Sequence, residues 1–216
     1  MRVLITSGGT REPIDGVRVI ANSSTGATGA ALADAFSAAG FAVTLLRARH
    51  SVAPTSPVDE HFFTTVAELD QACQTLLSSH SFGLVIHAAA VSDFVVETVT
   101  VDGIPHPAPF TGKLHSSARL SLELAPGKKI LPELKSYSQN PALKLVGFKL
   151  TEGAGPDETR IAVEKVLAAG ADLVVHNDQQ TMQQTRATLW DHAGPGAPLP
   201  TLLTLCDALV GYAKAL

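Results

Sequence analysis

Short apolar runs alternate with helical patterns along most of this chain, and that alternation constrains its fold more than any other feature. Runs with strand character lie at residues 3–7, 42–47, 60–64, 84–88, 144–149 and 173–176. Helical patterns fall near 29–39, 66–79, 129–138 and 157–169, and a last helix spans 201–215. Parallel strands cannot be joined by tight hairpins, so each needs a crossover, and helices in that role cover both faces of the sheet. The punctuation agrees. Gly40 and Gly170 sit just past two of the helices, as carboxyl-terminal caps do. Asp157 follows Pro156 and precedes the stripe Ile161, Val163, Val166 and Leu167, which marks a helix start.

Residues 95–124 break this rhythm, with Pro105, Pro107, Pro109 and Gly112 followed by a β-like run at 120–124. Such a long connection without helical period reads as a hairpin-like arm or flap, with Lys113 on its return leg. Residues 194–200 read as an exposed loop between a strand at 187–190 and the last helix. No repeat or linker divides the 216 residues, so residues 1–216 are expected to form a single domain. The expected fold is α/β: a Rossmann-like parallel sheet with helices on both faces and an extended arm near 95–124.

The first strand runs directly into Gly8-Gly9, and a second glycine turn, Asn22-Ser23-Ser24-Thr25-Gly26, follows. A strand that ends in glycine lets backbone N–H groups approach a phosphate, so a nucleotide site is expected at the start of the chain. Thr25-Gly-Ala-Thr-Gly29 is similar to the phosphate turn of short-chain dehydrogenases. That turn should follow the first strand directly, however, and its third glycine position is Leu32 here. Tyr137 and Tyr212 also lack a lysine four residues on. An NAD(P)-binding oxidoreductase is therefore the second reading, and a non-catalytic nucleotide-binding paralogue the third.

Net charge is −4 with no dense basic run, which argues against nucleic acid as a partner. No apolar run approaches the length of a membrane span, and the amino terminus lacks a signal-peptide core, so a cytoplasmic protein is expected. Cys73 and Cys206 read as small buried hydrophobes. No His, Cys or acidic spacing suggests a protein-ligated metal.

Several segments in chain order carry a family resemblance. They are Thr6-Ser-Gly-Gly-Thr-Arg-Glu-Pro-Ile-Asp15, Val17-Arg-Val-Ile-Ala-Asn-Ser-Ser-Thr-Gly26, Ala88-Ala-Ala-Val-Ser-Asp-Phe94, Gly112-Lys-Leu114, Leu145-Val-Gly-Phe-Lys-Leu150 and Leu173-Val-Val-His-Asn-Asp178. Together they resemble phosphopantothenoylcysteine synthetase (phosphopantothenate–cysteine ligase), in the stand-alone bacterial form without a flavin decarboxylase domain. The resemblance implies a two-step ligation of 4′-phosphopantothenate with cysteine through an acyl-nucleotidyl intermediate. It implies CTP (or ATP) as co-substrate, Mg2+ on the phosphates, no flavin, and a homodimer.

Residue by residue, the resemblance makes Lys113 the lysine that assists acyl-nucleotidyl formation and Asn22 the asparagine that serves the second step. It assigns nucleotide contacts to Gly8, Gly9, Ser24, Gly26, Ala88, Ala89, Asp93 and Phe148, and a phosphate contact to Lys165. Gly127, Lys128, Lys129 and Ile130 match a nucleotide-binding segment at the start of a helix, whose amino end would favour an anion. Arg18 and the arm are candidates for the pantothenate phosphate. The chain departs from many members at Ala27, where the asparagine turn usually ends in lysine, and at Ala169, where a second helix lysine is usual. Lys149, Lys128 or Lys129 would have to supply that charge.

Overall fold

The computed structural model describes residues 1–112 and 119–216, so Lys113 lies outside the described residues. The chain begins with β1 (Arg2–Ser7), the short strands β2 (Arg11–Pro13) and β3 (Val19–Ala21), and α1 (Ala27–Ala38). β4 (Ala42–Ala48), β5 (Asp59–Phe63), α2 (Val66–Ser79) and β6 (Leu84–His87) follow. Then come β7 (Phe94–Val101), β8 (Ile104–Pro107) and β9 (Leu120–Pro126), a 3-10 turn at Leu131–Glu133, and α3 (Leu134–Tyr137). The last part holds β10 (Lys144–Thr151), α4 (Pro156–Ala168), β11 (Leu173–Asp178), β12 (Ala187–Asp191), β13 (Gly194–Leu199) and α5 (Leu202–Lys214).

Eight strands form the main sheet in the order β13-β12-β11-β10-β6-β1-β4-β5. The six from β11 to β5 are parallel, while β12 and β13 add on antiparallel. The expected α/β sheet is thus present, but its outer edge is not parallel. Residues 194–200 are a correction: most of the expected loop is β13, paired with β12.

Each central strand buries both faces, as a parallel sheet between helix layers must. On β1, Val3 and Ile5 face one layer and Leu4 the other, all fully buried. α1 places Leu32, Ala33 and Phe36 against the first layer, together with Leu205, Cys206 and Leu209 of α5. The spacing of 3–4 residues keeps these side chains on one helix stripe. α2, α3 and α4 cover the opposite face through Leu69, Leu77, Leu134 and Val163. Truncating Leu32 to alanine would cost about 2–5 kcal/mol, the usual range for a sealed leucine.

The helix expected at 129–138 is much shorter. Lys128 and Lys129 lie outside any helix, and only the 3-10 turn and the four residues of α3 are helical. Pro132 lies in the first 3-10 turn, where its missing N–H does no harm, and the chain turns helical only there. A helical start does follow Gly127–Ile130, with Ile130 at its cap position, but it is a short 3-10 turn rather than the first turn of a long helix.

The arm is a three-stranded antiparallel sheet in the order β8-β7-β9, where a hairpin was expected. Asp102 (φ 48°) and Gly103 (φ 85°) form its tight turn, both in the left-handed region. A backbone bond from Phe110 N–H to Ile14 O (2.8 Å) ties the arm to the β2–β3 hairpin. Val99 is buried in the arm, while Phe94, Ile104, Leu120 and Leu124 leave much of their apolar surface exposed.

Candidate functional site

From β1 the chain moves outward to β4 and β5 on one side, then returns to place β6 and β10 on the other. The order reverses between β1 and β6, and in open α/β sheets the crevice at that reversal, outside the carboxyl ends, receives ligands. Backbone bonds stitch the two strand ends together there. Ala90 N–H donates to Gly8 O (2.8 Å), and Thr10 N–H donates to Ala90 O (3.1 Å). Ala88 N–H and Ala89 N–H are taken by Thr6 O and Thr6 Oγ1. Ala88 and Ala89 therefore offer a ligand closeness rather than free donors.

The glycine turns are held by two serines. Gly8 has φ +85°, and a Cβ there would lie 2.7 Å from the Cβ atoms of Ala48 and Ser51. Gly26 has φ +77°, and its Cβ would lie 2.6 Å from Ser51 Cβ. Ser7 Oγ–H donates to Gly26 O (2.9 Å), and Val52 N–H donates to Thr25 O (2.9 Å). The turn after β4 is thus wedged between both glycine turns. Because the β2–β3 hairpin intervenes, Thr25–Gly29 does not directly follow β1, which removes the direct strand-to-helix turn that a dinucleotide fingerprint requires.

A hollow of about 240 Å³ opens here, lined by Gly9, Arg11, Asn22, Ser24, His50 and Ser51, among others. Asn22 Nδ2 donates to Val91 O (3.1 Å), which fastens the asparagine turn to the 88–93 run and leaves Oδ1 available. Gly8, Gly9, Asn22, Ser24, Gly26, Ala88 and Ala89 are therefore brought together.

Asp93 lies six residues past β6, just ahead of β7. It forms an ion pair with Lys129, so two expected contacts meet. Gly127 N–H donates to Asp93 O (2.8 Å), and a Cβ at Gly127 would come within 2.9 Å of Ser92 O. Ile130 buries its side chain in the core and keeps only its backbone for a ligand. Lys128 is not free. It bonds Asp70 (2.6 Å) and Tyr137 (2.9 Å), and the Asp70 carboxylate holds its ammonium above the usual lysine range. Arg18 is likewise occupied by Asp15 (2.5 Å).

Beside Gly127 runs a second groove of about 600 Å³, lined by Glu12, Thr65, Val96, Pro109 and Lys128, among others. Glu12 is buried there and accepts from Val66 N–H at the start of α2 (2.8 Å). Burial pushes its carboxyl group above the ordinary glutamate value.

Phe148 sits half-buried on β10, on the face covered by α1 and α5. Lys149 lies on the opposite face beside His176, whose ring Nε2 is 2.9 Å from Thr151 Oγ1. Burial lowers the His176 pKa, while the Thr151 hydroxyl and neighbouring backbone N–H groups hold Asp178 far below the carboxylate range. Lys165 is exposed in the last turn of α4, which leads into the start of β11. The strand register puts the start of β11 level with Val146, Ile86 and Ile5, and among the described residues no hydrogen bond or ion pair of the Lys165 side chain ties it to the glycine turns.

Among the described residues no group of three or more His, Cys, Asp or Glu could hold a metal ion. Both cysteines are buried, and burial pushes their thiols up to about 12 (Cys73) and about 11 (Cys206). No described helix is long and apolar enough to cross a membrane. Sequence reasoning missed Arg11 and His50 in the hollow, Glu12 in the groove, and Arg186, which reaches Thr28 from 158 residues away. No local pattern marks such residues, because the fold alone brings them in.

Comparison with known proteins agrees with the fold. The chain is 38% identical over 177 residues to the coenzyme A biosynthesis bifunctional protein CoaBC of Thermococcus kodakarensis. It is 34% identical over 178 residues to CoaBC of Methanocaldococcus jannaschii. Each match covers 82% of this chain, which spans only 41% and 40% of those relatives' lengths. Its fold is similar to the DNA/pantothenate metabolism flavoprotein from Streptococcus pneumoniae, with a TM-score of 0.85 and 26% identity over 100% of this chain and 99% of the other. The DNA/pantothenate metabolism flavoprotein C-terminal domain matches residues 1–195, and the chain belongs to that family.

Proposed function

We propose that this chain ligates 4′-phosphopantothenate to cysteine in a nucleotide-dependent reaction of coenzyme A biosynthesis. The observation that carries the reading is the convergence of Gly9, Asn22 and Ser24 on one hollow, with Asn22 tied to the 88–93 run through Val91 O. The relatives named for coenzyme A biosynthesis, matched over most of this chain, support it.

In the first step the pantothenate carboxylate attacks the α-phosphate of CTP (or ATP), and pyrophosphate leaves. Lys113, outside the described residues, stabilises the developing charge. In the second step the cysteine amine attacks the acyl carbon and CMP leaves. Asn22 then hydrogen-bonds the reacting carbonyl, since an amide can donate without titrating. The Asp93–Lys129 pair borders the nucleotide, and Phe148 flanks it. Magnesium on the phosphates, held by them and by water, would neutralise phosphate charge there. The reaction uses no flavin and runs in the cytoplasm. Two copies pair through the arm, whose exposed Phe94, Ile104, Leu120 and Leu124 form the apolar surface for it.

The test is pyrophosphate release with 4′-phosphopantothenate, magnesium and CTP or ATP, with and without cysteine. Sustained turnover that needs cysteine and prefers one nucleotide is expected. No release with either nucleotide from folded protein overturns the proposal.

A further inference from the structure

The carboxyl end of the sheet face under α1 and α5 holds more than the glycine turns. Phe148 on β10 and Asn177 on β11 lie on this face, and Arg186 comes in just ahead of β12. The first turn of α1 lies beside them. This helix starts at Gly26 without a side-chain cap and has no acidic residue in its first turn. Its first internal bond runs from Ala30 N–H to Gly26 O, and Ala27 N–H reaches Thr25 Oγ1 at 3.3 Å. The N–H groups of Thr28 and Gly29 thus have no acceptor within the helix. No lysine or arginine occurs anywhere in α1.

The missing cation arrives from the far end of the sequence. Arg186 Nη2 donates to Thr28 Oγ1 at 2.5 Å. Its Nε is buried and has no partner among the described residues. None of the ion pairs among the described residues involves Arg186. A buried guanidinium donor without an acceptor is unfavourable unless an anion completes it. Two independent observations therefore meet at one place: an uncapped helix end and an unpaired, partly buried positive charge. A phosphate group satisfies both, because its oxygens match the guanidinium fork and accept helix N–H groups as well.

We infer that Arg186 holds a phosphate group of the nucleotide at the amino end of α1, and so sets the affinity for the triphosphate. The inference rests on the nucleotide-dependent reading above and deepens it. Arg186 lies outside every segment that carries the family resemblance.

The test titrates CTP, ATP, cytidine and 4′-phosphopantothenate into the full chain and into Arg186→Gln and Arg186→Lys variants. Triphosphate affinity should fall about tenfold or more in Arg186→Gln, the worth of one charge-assisted hydrogen bond, and partly recover in Arg186→Lys. Affinity for cytidine and for 4′-phosphopantothenate should not change. In turnover, the KM for nucleotide should rise more than kcat falls. A lower melting temperature with unchanged triphosphate affinity would make Arg186 a strap between β12 and α1 and overturn the inference. A loss confined to 4′-phosphopantothenate would move the phosphate to the acid substrate and overturn it too. If Arg186→Gln does not fold, Arg186→Lys and Thr28→Val give the same comparison. Triphosphate binding through Arg186 without ligase turnover would uphold this inference and sink the proposed function. Turnover with an unchanged nucleotide KM in Arg186→Gln would do the reverse.

Discussion

Replacing Gly26 with alanine should damage the protein in two separable ways. The first is torsional. At φ +77° an L-residue pays about 1–2 kcal/mol that glycine avoids. The second is steric, because the new methyl would sit 2.6 Å from Ser51 Cβ and 3.0 Å from Ser7 Oγ. Overpacking of that kind costs about 1–3 kcal/mol. Together Gly26→Ala should lose about 2–5 kcal/mol, a large share of the roughly 5–15 kcal/mol that holds a typical domain together. The two parts are told apart by Ser51→Gly. That change alone removes the hydroxyl bond to Ala48 O (2.7 Å) and should cost about 1 kcal/mol. In its background the methyl at position 26 has lost its nearest obstacle, so Gly26→Ala should cost only the torsional part and the milder contact with Ser7. Urea unfolding of the four proteins closes the cycle, with an expected coupling of about 1–3 kcal/mol between the two sites. Equal costs of Gly26→Ala in both backgrounds would refute the claim that Ser51 is wedged against the glycine turn.

Four further outcomes are expected. Asn22→Asp should let the acyl-nucleotidyl intermediate form but stall its capture by cysteine; rapid-quench experiments that detect no accumulated intermediate would remove that role. Lys113→Ala should slow formation of the same intermediate, read as a slower pyrophosphate burst. His87 is sealed beneath the site, and burial lowers its pKa from 6.5 to about 4. The unfolded chain then takes up a proton below about pH 6.5 while the folded one resists until about 4. Stability is complete above that window and falls by up to about 3 kcal/mol as pH drops through it. Urea midpoints at pH 7 and 4.5 should show a smaller difference in His87→Gln than in the parent chain. Light scattering should give the mass of a dimer at working concentration, and a monomer mass would contradict pairing through the arm.

Strong periods made the main elements legible. The stripes on α1, α2 and α4 each follow one helix face, and the doubly buried strands read as unbroken apolar runs. Short or unusual elements did not read so clearly. β2 and β3 have three residues each, too few for any period to appear. β13 is Gly-Pro-Gly-Ala-Pro-Leu, the composition of a loop, and forms a strand only because it lies at an edge. Asp102-Gly103 is a hairpin signal that would have marked the β7–β8 turn. The tight turns at Gly8, Gly9 and Gly26 were readable because close approach demands glycine. For Lys165 a helical pattern shows the residue's face but not what it reaches across the sheet. Arg186 carried no signal at all, since only the order of strands sets it beside Thr28.

The two margins of the main sheet have a shared consequence for how copies of this chain meet. At one margin, two of the six residues of β13 are prolines, which have no N–H to offer a strand from another molecule. At the other, β5 opens with Asp59 and Glu60, whose charges repel a neighbouring sheet. Neither side can be extended readily into a continuous sheet between molecules. The main sheet is therefore protected against open-ended stacking in crowded solution. The dimer proposed through the arm would meet no competition from these margins, and as a symmetric contact it would close on itself and stop at two.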